Sequence, residues 1–498
     1  MQTFQHYLDK TGEIGFVDQV IHTLCYVSGL PRVKPSEVVL FDSGELGQVM
    51  SIGRETAEIL LLGKTEVPVG TKVARTGGQL NISVGTSILG KTLNSLGVPL
   101  GKKMGGSLAG SYEVRPIEAI PLGLDRRKTI DTPFETGVTM VDMIIPLGRG
   151  QRQLVVGDRK TGKTGFLLQS VTSAASRGTV VVYAAIAKKR LDIKMIEEFF
   201  RAKKVDANTV IVASSSADPA GLVFLTPYTA MTIAEYFRDR GQDVLIIFDD
   251  LTEHAKYYRE LTLLARRFPG RSSYPGDIFY IHARLLERAG NFVITQKDKD
   301  GKLVRKTASI TALPVAELVM GDLSGYIQTN LMAMTDGHVY FDIDLFNAGR
   351  RPPINPFLSV TRVGRQAQTP LLRQLLTTLT SFLVRLEDLK QFMHFGAELG
   401  EETKRTLALG ERIQTFLEQS PDITIPVNVN VVVFAALWGG FWSEASPSDL
   451  HSKIGQIVKA YGSDEKYKAK IDNLVRNMDK FEELVKFVKG NEEVVLGS

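Results

Sequence analysis

Eight consecutive residues, Gly157, Asp158, Arg159, Lys160, Thr161, Gly162, Lys163 and Thr164, fit the pattern G-x-x-x-x-G-K-[ST]. In such a loop, backbone N–H groups cradle phosphates, the lysine reaches the β and γ oxygens, and the hydroxyl ligates Mg²⁺. Four free positions allow chance matches, so the flanks matter. The apolar run QLVVG precedes the loop and GFLLQSVTSAA follows it. That order of strand, loop and helix aims a helix N-terminus at the anion. The other half of a magnesium site is an acid at a buried strand end. DVLIIFDD supplies Asp249 and Asp250, and Asp249 is the candidate for the metal's water shell. An acidic strand end alone is often only a helix cap or turn.

Hydrolysis needs a further group, one that orients the attacking water. The next strand-like run, TVVVYAAI, leads into Ala187, Lys188, Lys189 and Arg190, and the first acid beyond is Asp192. Cations stand where a carboxylate would serve. Arg159 and Lys160 add positive charge to the loop, which favours holding a polyphosphate. The pattern predicts a nucleotide held and not turned over.

The elements that position these residues follow from periodicity. Over the first 75 or so residues, EVVLFD, LGQVMSIG, AEILLLG and TKVARTG read as short strands separated by turns, a small β-barrel or sandwich. From about 135 to 350, QLVVG, TVVVYAAI, TVIVASS and DVLIIFDD alternate with amphipathic stretches. Continuous Val/Ile/Leu runs are the mark of parallel strands covered on both faces, so this is an α/β core. Beyond about 360, LLRQLLTTLTSFLVRLEDLKQFM and KYKAKIDNLVRNMDKFEELVKFVKG place apolar residues at helical spacing, predicting a helical bundle. TQKDKDGKLVRKT, 295 to 307, reads as a solvated hairpin or loop.

Composition sets outer limits. The chain has 498 residues, 43% hydrophobic and 23% charged, which is ordinary for a multidomain globular protein. A net charge of +5 without a basic tail gives no nucleic-acid partner. The single cysteine, Cys25, excludes an internal disulfide and reads as a buried small hydrophobe, as in a reducing compartment. No secretory signal is visible at the N-terminus. The longest apolar stretch, VVVFAALWGGFW, falls short of the roughly 20 residues that span a bilayer and reads as packed core. The seven histidines lack metal-ligand spacing.

GDRKTGKT, IIFDD, SYPGDIFYIHARLLERAG (273 to 290) and LSVTRVG (358 to 364) together resemble the alpha subunit of F-type ATP synthases, from about residue 12 onward and more loosely through the C-terminal helices. The YPGD run is specific to alpha chains, and beta chains carry Gly-Glu-Arg where this one has Ala187, Lys188 and Lys189. The resemblance implies an N-terminal β-barrel (1–75), a central α/β P-loop (RecA-like) nucleotide-binding domain (76–358) and a C-terminal α-helical domain (359–498). It implies a site that binds Mg-ATP without turnover. It also implies alternation with beta subunits in a hexamer around a gamma shaft. The complex would make ATP from ADP and phosphate on a proton gradient, peripherally attached at the cytoplasmic face of the cell membrane. Arg362 matches the arginine that reaches the neighbouring beta site. Lys160 and Lys188 stand where the family usually has Gln, and Thr361 where it has Ser. The N-terminal segment that recruits a delta subunit is shorter than usual, and the loop at Gln419 is shortened. Arg351 and Pro352 match the family's Arg-Pro segment. Two other classes use related cores. A ring-forming RNA translocase calls for aromatic or basic signals in the first 75 residues, and a protein-export ATPase for Glu in place of Lys188.

Overall fold

The computed structural model describes residues 3–63, 66–100, 111–297, 302–393 and 400–492. The chain forms two compact units: Met1–Lys128 with Gly178–Leu318 and Asp322–Thr335, and Thr129–Arg177 with Val319–Gly321 and Asp336–Ser498.

The first unit opens with helix Phe4–Thr11, whose N-terminus is capped by the Thr3 hydroxyl and which stops at Gly12 in the left-handed region (φ 66°). Six strands follow: Ile14–Ile21, Leu24–Ser28, Glu37–Phe41, Leu46–Ile52, Thr56–Leu61 and Lys72–Gln79. They close into a barrel, the first pairing with the last. Alternation turns Val17, Cys25, Val27, Val39, Phe41, Ile59 and Val73 into one buried interior. Burial pushes the Cys25 thiol up to about 12, so it stays protonated. Closure decides for a barrel and against a sandwich. It uses two strands, within residues 14 to 28, that the sequence pattern did not single out.

Beyond the barrel, the first unit holds a parallel sheet with the strand order Thr92–Leu93, Thr209–Ser215, Val180–Lys188, Val244–Asp249 and Leu303–Glu317. TVIVASS, TVVVYAAI and DVLIIFDD, read as buried strands, are three of these, and every residue of Val244–Asp249 is buried. Gly290–Lys297 pairs antiparallel with Leu303–Glu317; residues 298–301 of the charged stretch lie outside the described residues.

The second unit carries strand Leu154–Gly157, paired in parallel with Gly337–Phe341. Val360–Thr361 lies antiparallel on the outer edge of the latter. Helix Lys163–Ser176 follows the loop, as expected. The C-terminal helical pattern is realised in Pro370–Met393, Glu401–Leu417, Val427–Trp438, Pro447–Ser463, Glu465–Asn477 and Phe481–Gly490. The last long periodic stretch is thus two helices. The break is held from outside it: the Phe481 N–H donates to the Gln374 side chain (3.0 Å), and the Phe481 ring stacks on Phe434. The apolar run near 431 is the buried helix Val427–Trp438. Among the described residues, no helix is long and apolar enough to cross a membrane.

Candidate functional site

The phosphate loop sits in the second unit, where the sequence places it. Gly157 ends its strand against Phe341, and a Cβ there would come within 2.5 Å of the Phe341 Cβ, so only glycine allows this approach. Gly162 has φ 93° and starts the helix. Lys160 also lies in the left-handed region (φ 63°), a cost of roughly 1–2 kcal/mol for a residue with a side chain. Thr161 is buried, and its hydroxyl donates to the Asp158 carbonyl (2.7 Å). Asp158 accepts the Gly321 N–H (2.8 Å). The Lys163 ammonium donates to the carbonyls of Gly157 (2.7 Å) and Asp158. Arg159, Lys160 and Thr164 are exposed. A curved loop with a lysine on neutral carbonyls, at a helix N-terminus, suits a phosphate chain: its oxygens offer the ammonium a stronger, charged acceptor.

Asp249 lies in the first unit at the carboxyl end of its strand, beside the end of Val180–Lys188, with Ala185 in register with Asp249. Carboxyl ends of parallel strands are where such sheets bind ligands. The Lys188 ammonium donates to Asp249 Oδ1 (2.6 Å) and stands 3.9 Å from Asp250 Oδ2. The Tyr183 hydroxyl donates to Asp249 Oδ2 (2.7 Å). Burial raises the Tyr183 phenol well above its usual value and the Asp249 charge adds to this, so it remains a donor. Burial works against the Lys188 ammonium, but the charges of Asp249 and Asp250 outweigh it, and the lysine stays protonated. Burial lifts the Asp250 carboxyl to about 7, against the pull of Lys188; its Oδ1 caps the next helix by accepting the Glu253 N–H (2.7 Å).

A magnesium ion takes open oxygen donors. Thr164 presents an exposed hydroxyl at the start of the helix. Asp249 does not fit as an open carboxylate: it is 5% exposed, both its oxygens accept protein donors, and its charge is matched by Lys188.

Arg362 follows the edge strand Val360–Thr361 and is exposed. Its N–H donates to the Asp336 carbonyl (2.9 Å). Thr361 fixes the turn: its hydroxyl donates to the Pro146 carbonyl (2.9 Å) and accepts from the Gly364 N–H and Gln151 Nε2. The residue in the family's serine position therefore uses its hydroxyl fully. The Arg-Pro segment adjoins the loop, since a Cβ on Gly162 would meet Pro353 Cδ at 3.8 Å. Arg351 lies over the Phe346 ring (3.9 Å). Gln419 is buried and turned inward: it accepts the Thr139 N–H (2.8 Å) and donates to the carbonyls of Gly137 (2.7 Å) and Ile423 (2.6 Å). It holds its loop to the chain around 137–139.

Comparison with known proteins decides the family. Residues 137–361 match the model described as ATP synthase alpha/beta family, nucleotide-binding domain, and residues 368–489 match ATP synthase alpha/beta chain, C terminal domain. The chain belongs to the ATP synthase alpha/beta family. It is 39% identical over 459 residues (92% of the chain, 88% of the relative) to ATP synthase subunit alpha of Aquifex aeolicus. To ATP synthase subunit alpha of Staphylococcus epidermidis it is 37% identical over 440 residues (88% and 85%). To ATP synthase subunit alpha 2 of Hahella chejuensis it is 38% identical over 426 residues (85% and 82%). The resemblance to alpha subunits is borne out, as is the barrel, nucleotide-domain and helical-domain architecture.

Within this alpha/beta-family chain the run 273–290 that contains YPGD ties parts of the first unit together. The Tyr258 hydroxyl donates to Asp277 (2.8 Å). Arg288 is 1% exposed and forks onto both oxygens of Glu235 (3.1 and 2.6 Å), while also donating to Thr232 and the Ile117 carbonyl. His282 meets His254 ring to ring (3.0 Å). Tyr183, whose hydroxyl holds Asp249, was not singled out from the sequence. Its signal was present: one hydroxyl in the otherwise apolar run TVVVYAAI.

Proposed function

We propose that this chain holds ATP at the loop Gly157–Thr164 without hydrolysing it, as a regulatory alpha-type subunit in the head of an ATP synthase. The observation that carries this reading is the ammonium of Lys188 on Asp249, at the strand end where a water-orienting carboxylate would serve turnover. Lys163 supplies the point charge for the phosphates, and Thr164 is the hydroxyl offered to Mg²⁺. Arg362, exposed beyond an edge strand, acts in a neighbouring beta site, where a planar fork can contact two phosphoryl oxygens at once. The partners are beta subunits alternating with this chain and a gamma shaft. The assembly makes ATP from ADP and phosphate on a proton gradient, attached peripherally at the cytoplasmic face of the membrane. The working domain limits are 1–75, 76–358 and 359–498.

Equilibrium binding of ATP to the purified chain tests the site. Lys163→Ala is expected to weaken binding by roughly ten- to a hundredfold, the worth of losing hydrogen bonds to charged groups. Unchanged affinity in a folded Lys163→Ala chain would place the nucleotide elsewhere.

A further inference from the structure

Arg362 ends a short segment that the second unit holds down residue by residue. Val360–Thr361 pairs antiparallel with the buried strand Gly337–Phe341, with His338 opposite Val360 and Gly337 opposite Thr361. The Arg362 N–H on the Asp336 carbonyl (2.9 Å) carries the pairing one residue further. Alternate residues of a strand share a face, so Val360 and Arg362 lie on the face that His338 occupies.

The ties along this segment differ in kind. The Tyr340 N–H donates to Ser359 Oγ (2.9 Å), and the Gln153 amide donates to the Val360 carbonyl (2.9 Å). Asp336, whose carbonyl takes the Arg362 N–H, has its carboxylate closed on Arg152 (3.0 Å). The Leu358 carbonyl is met by a ring: His338 Nε2 lies 2.8 Å from it. A carbonyl only accepts, so Nε2 carries the hydrogen, and Nδ1 is the bare nitrogen of the neutral ring. The residue is 8% exposed, so little water competes for this bond. Burial holds the imidazole below its usual value and the Arg362 charge adds to this, against the Leu358 hydrogen bond, which keeps the ring neutral near pH 7. The guanidinium is thus near enough for its charge to bear on the ring.

We propose that His338 is a positioning residue for Arg362. Its Nε2–H on the Leu358 carbonyl sets how the segment 358–362 stands against the strand Gly337–Phe341, and with it where the guanidinium is presented. The inference rests on the reading of Arg362 as acting in a neighbouring site.

The test is single-site hydrolysis by the reconstituted complex, with kcat and KM measured separately and assembly checked by size. The variants are His338→Ala, His338→Gln, His338→Asn, Arg362→Ala and the double alanine variant. His338→Ala is expected to lower kcat by roughly three- to tenfold, the worth of one hydrogen bond, with KM unchanged. His338→Gln, whose amide nitrogen reaches the Nε2 position, should restore most of the loss. His338→Asn, whose amide stops at the Nδ1 position, should not. In the Arg362→Ala background, His338→Ala should cost nothing further, because the group it positions is gone. A wild-type kcat in His338→Ala, equal kcat in the Gln and Asn variants, or additive losses in the double variant overturns the inference and leaves the reading of Arg362 standing. If His338→Ala does not assemble, the Gln and Asn pair decides alone. An Arg362→Ala complex at the wild-type rate overturns the reading of Arg362, and this inference with it.

Discussion

Lys163 and Lys188 both stand where a buried strand gives way to a loop or helix, but they keep different company. Lys163, in the second unit, rests on the carbonyls of Gly157 and Asp158, which carry no net charge. Lys188, in the first unit, rests on Asp249 and faces Asp250. An ammonium on carbonyl dipoles gains when a phosphate arrives; one already on a desolvated carboxylate does not. Exposed and matched charges occur in both units. Arg159, Lys160 and Arg362 of the second lie at its surface. In the first, Lys188 pairs with Asp249, Arg288 with Glu235, and Arg75 with Glu37 and Glu13; in the second, Arg152 pairs with Asp336 and Arg350 with Glu418.

The sharpest way to break this comparison is at Arg362. Arg362→Ala should leave folding and assembly intact and lower turnover of the reconstituted complex by roughly 10³- to 10⁵-fold, the range for an arginine supplied to another chain's site. Arg362→Lys should rescue little, because the charge stays and the fork is lost. Single-site hydrolysis by a correctly assembled complex is the measurement; a near wild-type rate would make Arg362 a structural residue, as Arg288 is.

A smaller effect sharpens the other side. His254 and His282 are buried, and His254 Nε2–H donates to the Phe224 carbonyl (3.1 Å). A neutral His254 then accepts at Nδ1 from His282 Nε2–H. Burial pushes His254 down to about 4; burial, with its neighbour, holds His282 well below its usual value. A depressed histidine contributes stability that is present above its unfolded value near 6.5 and lost as pH falls through the folded one. The unfolding free energy should therefore fall between pH 6.5 and about 4, by up to about 1.4 kcal/mol per pH unit for each histidine, and the melting temperature with it. His254→Gln should flatten that slope, and a pH profile unchanged by the substitution would remove the pair from the account.

What the sequence made legible follows the range of the interactions. The phosphate loop is eight adjacent residues whose flanks announce a strand and a helix, and all of it could be read. The buried parallel strands were equally plain, because a strand covered on both faces has to be apolar throughout. Strand register was hidden. Lys188 and Asp249 are 61 residues apart, and only the pairing of Ala185 with Asp249 brings their ends together. Gln419 was hidden for the same reason, since its partners at Gly137 and Thr139 lie some 280 residues away in the chain. The strands within 14 to 28 escaped notice because IGFVDQVI mixes polar residues into its outward face, as a barrel wall allows.

The claim that the site holds ATP and leaves it whole is tested most directly by the identity of the bound nucleotide. The purified chain, free of partners, is loaded with ATP labelled at the γ-phosphate, separated from free nucleotide, and followed over many minutes for released phosphate. The account predicts that the bound label stays in ATP. Steady release of labelled phosphate by the partner-free chain would contradict it.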